Sequence, residues 1–171
     1  MITRNTIQKV HSALRNDKWV IDGVPGHGDF PQDILDRYGQ QLCGNILEWV
    51  KSFKHCIHPD GLSWFWSIDD YCNSTQNTEP HWNEFEIQYT RRSIAKGRTL
   101  NAFRAKRFWT KFFPVFRSIR GSSIDLAICV MPGEKFGTIN CISQEDFDYP
   151  VQKTDSFESL ASSIINGEFI Y

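Results

Sequence analysis

The run Ser122-Ser-Ile-Asp-Leu-Ala-Ile-Cys-Val130, then Met131-Pro-Gly-Glu134 and Phe136-Gly-Thr-Ile-Asn140, constrains the fold more than any other stretch of the chain. Its alternation and β-branched residues are those of a strand with one face more buried than the other. Pro then Gly at the centre of a tight turn predicts that residues 124–130 and 136–142 pair as an antiparallel hairpin. Downstream, Asp155 or Ser156 caps a helix whose Phe157, Leu160, Ala161, Ile164 and Ile165 share a face, and Asn166-Gly167 ends it.

Upstream, the spacing of Ile7, Val10 and Leu14 predicts a helix over 4–15. Further helices are expected over 31–38, over 45–54 (Ile46, Trp49, Val50 and Phe53 on one face) and over 82–95 (Phe85, Tyr89, Arg92). Residues 62–66 read as a short strand, Ser67 or Asp69 as the start of a turn or short helix, and 73–80 as a mobile polar loop. Strands are expected to concentrate after residue 110. Helices first and strands later predict one α+β domain over residues 1–171, with an antiparallel sheet and helices at its ends and on one face.

The closing third resembles the Smi1/Knr4 (SUKH) superfamily, mainly over 109–166. The pieces that carry the resemblance are Trp109 before the apolar Phe112-Phe-Pro-Val-Phe116 and Asp125 near the start of a strand. After them come Gly137-Thr-Ile139, an acidic stretch from Gln144 to Asp148, and a final Ser156-Phe157-Glu158 helix start. The amino-terminal half departs from the pattern. Phe30-Pro31-Gln32-Asp33-Ile34-Leu35 leading to Tyr38-Gly39 is a degenerate form of the family's Leu-Pro-x-Asp segment, with Phe30 where the family has Leu. The resemblance implies a SUKH-like fold and a non-enzymatic binding module. Bacterial and phage members look like immunity proteins that neutralise a toxin, often a nuclease; fungal relatives act in cell-wall signalling.

With 171 residues, 40% of them apolar and 14% aromatic, the chain can build a packed core. Its apolar runs fall far short of a membrane span and Met-Ile-Thr-Arg-Asn is no secretory signal, so a cytoplasmic protein with no membrane partner is expected. Five cysteines without regular spacing fit a reducing compartment. The net charge is −1, but its distribution is uneven. No acid lies between Ile87 and Ile124, where Arg91, Arg92, Lys96, Arg98, Arg104, Lys106, Arg107, Lys111, Arg117 and Arg120 all fall.

No metal, cofactor or catalytic residue is expected. His55-Cys56-Ile-His58 with Cys72 lacks the two spaced ligand pairs of a zinc site, since adjacent His55 and Cys56 ligate one ion awkwardly. Asp69 and Asp70 suit the first turn of a helix better than acid–base work. Gly23-Val-Pro-Gly26-His-Gly28 lacks the spacing and the preceding strand of a nucleotide loop. A protein partner, specifically a toxin domain, is expected instead, on Trp64, Trp66 and Trp82 beside Asp69, Asp70, Glu79, Glu84 and Glu86. The alternative from another class is nucleic-acid binding through residues 91–120, with Arg91, Arg92, Arg104, Lys106 and Arg107 on phosphates and nearby aromatics stacking. A near-neutral chain counts against it. A small hydrolase of unrecognised type is the third reading.

Overall fold

A computed structural model describes residues 3–23, 28–42, 44–73, 81–143 and 149–169. The chain runs α1 (Arg4–Asn16), β1 (Val20–Asp22), α2 (Gln32–Tyr38), a 3-10 turn (Gly39–Leu42), α3 (Asn45–Lys51), β2 (His55–Ile57), β3 (Ser63–Phe65) and α4 (Ile68–Asn73). It continues with α5 (Glu84–Ala95), α6 (Thr99–Trp109), β4 (Phe112–Ser118), β5 (Ile124–Cys129), β6 (Ile139–Ser143), β7 (Val151–Thr154) and α7 (Phe157–Ile165). The strands form one seven-stranded sheet in sequence order, each antiparallel to the next. The fold is α+β with an antiparallel sheet.

The expected pairing at the carboxyl end forms, with Ile128 opposite Ile139. Its connection is longer than a Pro-Gly turn. β6 begins at Ile139 and Phe136 stays half exposed, because the pair is closed by Cys129 N–H on Thr138 O (2.9 Å) and Gly137 N–H on Cys129 O (2.8 Å). Strands are not confined to the region after residue 110. β3 forms within the short strand expected over 62–66, and β1 and β2 also precede residue 110, each three residues long and too short for alternation to be visible in sequence. The helix expected over 45–54 stops at Lys51, although Phe53 is still buried. In α7, Ser156 caps the Ser159 N–H and four of the five expected residues are buried, while Ile165 is partly exposed. Residues 74–80 of the expected loop and the acidic 144–148 lie outside the described residues.

Register divides the sheet into two faces. Ile21, Cys56, Phe65, Phe116, Leu126 and Cys141 align across the strands on the first. They pack with Ile7, Val10 and Leu14 of α1, Trp49 and Val50 of α3, and Phe157, Leu160 and Ile164 of α7 in the main core. The second face carries Val20, Ile57, Trp64, Arg117, Asp125 and Ile142 in one cross-strand row. A register shift between Pro114 and Phe116 reverses the alternation of β4, so Phe112 and Arg117 serve the same face despite their odd spacing.

α6 was not foreseen, yet its pattern is legible once the partner is known. Ala102, Ala105 and Trp109 recur on one buried stripe, and the alanines let α5 approach closely. Gly97, in the left-handed region at φ 68°, ends α5 with Arg98 N–H on Ser93 O and Gly97 N–H on Ile94 O, a Schellman closure that turns the chain into α6. The same closure ends α1 with Lys18 at φ 68°, a conformation that costs a non-glycine residue about 1 kcal/mol.

One half-buried imidazole links the core to pH. Ser52 Oγ gives its only proton to Trp49 O (2.7 Å), so it accepts from His11 Nε2–H (3.0 Å), and the ring lies edge-on to Trp49 and Phe53. Burial, helped by the Arg15 charge, lowers its pKa from 6.5 to about 4. The unfolded chain therefore takes up a proton that the folded chain refuses. This contribution to stability is complete above about pH 6.5, is lost as pH falls to about 4, and is constant below. Discounted for partial solvent exposure, its size is about 1–2 kcal/mol. Urea unfolding at several pH values should show the stability gap between the native chain and His11→Gln shrinking over this window. A gap independent of pH would contradict it.

Candidate binding face

The two halves of the sheet's second face are treated differently by the chain. Over β4 to β6, the base of the α5–α6 hairpin covers it, with Phe85, Ala105 and Trp109 packed on Phe112, Ala127, Cys129 and Ile142. Over β1 to β3, the described residues leave it more open, with α4 bordering it through Asp70. Val20 is 50% exposed and Ile57 37%, Trp64 is partly buried next to Ile57 in the same row, and Ile119, just past the end of β4, is 43% exposed. A hollow of about 520 Å³ opens there, lined by His55, Ile57, Trp64, Trp66, Asp70 and Ile119.

The wall of this hollow is built by two motifs. In the first, Trp64 and Trp66 meet edge to face, with centroids 5.6 Å apart. Arg117 supports Trp66 from within: its guanidinium lies 5.1 Å from that ring and 4.3 Å from the Phe85 ring. It is held by Asp125 in a two-pronged pair (Nε–Oδ1 2.7 Å, Nη2–Oδ2 2.8 Å), and Nη1 donates to His81 O. Both residues are buried, so the charge is cancelled locally. In the second motif, Ser67 and Asp70 cap α4. Asp70 Oδ2 accepts from Ser67 N–H (2.7 Å) and Ser67 Oγ–H (2.8 Å). Burial, with a smaller push from Asp69, raises the Asp70 pKa against the pull of Ser67 and His55.

The expected acidic and aromatic patch does not form as one exposed surface. Trp66 and Trp82 are core residues at 1% and 5% exposure. Glu86 is buried on Arg37 (2.7 Å) and cannot greet a partner. Asp69, Asp70 and Glu84 are half-buried, and Glu79 lies outside the described residues. Trp64 and Asp70 are brought together at the hollow. Arg91, Arg92, Arg104, Lys106 and Arg107 are all exposed on the α5–α6 hairpin. Arg117 and Arg120, counted in the same basic segment, are not part of that surface: Arg120 joins Asp60 and His58 at the β2–β3 turn. Val20, Ile57 and Ile119 are not singled out by sequence because β1 and β2 are too short to show which of their residues face outward, and Ile119 lies past the end of β4.

Among the described residues no three His, Cys, Asp or Glu side chains converge as metal ligands. Strand alternation sends Cys56 into the core and leaves His55 exposed, so the adjacent pair points apart. Burial pushes the thiols of Cys56, Cys72 and Cys141 up, away from nucleophilic character. No described helix is long and apolar enough to cross a membrane. No family model matches the chain, and no curated protein or solved structure matches it.

Proposed function

We propose that this chain is a non-enzymatic protein-binding module that neutralises a partner, an immunity protein acting on a toxin domain by stoichiometric docking. The observation that carries the reading is the more open half of the sheet's second face, where, among the described residues, Val20, Ile57 and Ile119 are exposed and Trp64 partly so beside a hollow. An apolar strip on a face covered elsewhere by its own helices marks a surface for another chain. The Smi1/Knr4-like order of its closing third supports the immunity role. Steric blockade needs no catalytic group of its own, and a charged rim then sets the rate and choice of partner.

The reading is tested by co-expression with toxin-like products of neighbouring genes. Rescue of growth and a one-to-one complex are expected. Ile57→Arg, placing a charge mid-row on an exposed side chain, should abolish both while changing folding stability by less than about 1 kcal/mol. Rescue that survives Ile57→Arg would move docking away from this face. The nucleic-acid reading keeps one specific observation in its favour: a hairpin with exposed Arg91, Arg92, Arg104, Lys106 and Arg107 around a 62% exposed Phe103. Binding to a mixed nucleic-acid pool that weakens with salt, and vanishes when Arg104, Lys106 and Arg107 are neutralised, would replace the immunity reading.

A further inference from the structure

We propose that the hollow between β2, β3 and α4 is a socket for one arginine side chain of the docked protein; this deepens the docking reading above and rests on it. Two independent features of the hollow ask for the same chemistry. The first is an unfinished carboxylate. Both Ser67 donors go to Asp70 Oδ2, and Oδ1 has no hydrogen-bond donor among the described residues. A partly buried carboxylate with one unpaired oxygen gains most from a charged donor. The second is the wall itself: the partly exposed Trp64 indole, with Ile57 and Ile119 lining the same cavity, offers a flat apolar surface.

A guanidinium answers both at once. It donates in its plane to a carboxylate while its face lies on an indole, and it sheds water more readily than an ammonium group. The protein already uses this chemistry one layer below, where Arg117 lies over Trp66 while paired to Asp125. The charges around the cavity favour a cation. Asp70 and Asp69 are acidic, the Arg117 charge is cancelled, Arg120 is engaged by Asp60, and His55 is the remaining basic group at the rim. The volume of about 520 Å³ admits the guanidinium together with its aliphatic stem.

The test uses N-acetyl-arginine amide as probe, with the lysine analogue and the neutral isostere N-acetyl-citrulline amide as comparisons. Amide and indole resonances are followed by NMR at neutral pH. Saturable shifts confined to Ile57, Trp64, Trp66 and Asp70 are expected, with an arginine Kd on the order of 1–10 mM. Lysine should bind more weakly, and citrulline about tenfold more weakly or not at all. Asp70→Asn keeps an acceptor for Ser67 and so preserves the α4 cap, yet should weaken arginine binding about tenfold; Trp64→Leu should do the same. Citrulline binding as well as arginine, shifts that survive both substitutions, or no saturable shift at all would overturn the socket. If Ile57→Arg still abolishes the complex in that case, the docking face stands and only the arginine assignment falls.

Discussion

Asp125→Ala is expected to cost about 3–5 kcal/mol of folding stability, the largest single loss in the sheet. Asp125 is fully buried and Arg117 is 2% exposed, so removing the carboxylate strands a permanent cation against Phe85, Trp66 and one carbonyl. Arg117→Met should cost less. Burial raises the Asp125 pKa against the pull of Arg117, and an orphaned carboxyl can take a proton where a guanidinium cannot lose one. The double change Arg117→Met with Asp125→Leu should recover most of the loss, because it removes both desolvation penalties and refills the volume. Equilibrium urea unfolding of the two single variants and the double completes the cycle. Additive losses, or an Asp125→Ala cost below about 1 kcal/mol, would show that the pair does not hold this part of the sheet.

The same pair shows why some of this chain could be read from sequence and some could not. Sequence alone places Asp125 near the start of a strand and Arg117 among the cations of a basic segment. Their connection depends on the β4–β5 register and on the shift at Pro114–Phe116, neither of which leaves a trace in composition or local periodicity. Elements with several residues on one face were legible: α1, α3, α5, α7 and the β5–β6 pair all stand close to where periodicity puts them. The strands β1 and β2 have one core-facing residue each, Ile21 and Cys56, and no pattern can be drawn through one point. At the candidate face, alternation put Trp64 and Trp66 on one side but could not say that Trp66 is sealed beneath Trp64, or that Glu86 is claimed by Arg37. A charge or a ring in sequence is a candidate contact; whether a neighbour already uses it is decided by tertiary packing.

Trp82 makes that distinction measurable. Its ring packs near Tyr38 (6.1 Å), Tyr71 (6.1 Å) and Phe113 (6.3 Å), with the Arg37 guanidinium at 5.8 Å. Those neighbours are themselves anchored, Tyr38 by its hydroxyl on Trp109 O and Tyr71 on Pro114 O, so they cannot collapse into a void. Trp82→Ala should therefore open a cavity and cost about 3–5 kcal/mol, while Trp82→Phe, which keeps a ring, should lose appreciably less. Trp64→Ala should cost less than Trp82→Ala, because its ring is only partly buried. Binding should separate the two in the opposite sense. With concentrations corrected for the folded fraction, Trp82→Ala should dissociate from the partner at the native rate, whereas Trp64→Ala should dissociate faster. Urea midpoints and surface-immobilised dissociation rates on the same three variants supply both readings. A Trp82→Ala protein that keeps native stability and loses its partner would return that ring to the interface and remove the distinction drawn between the core wall and the open face.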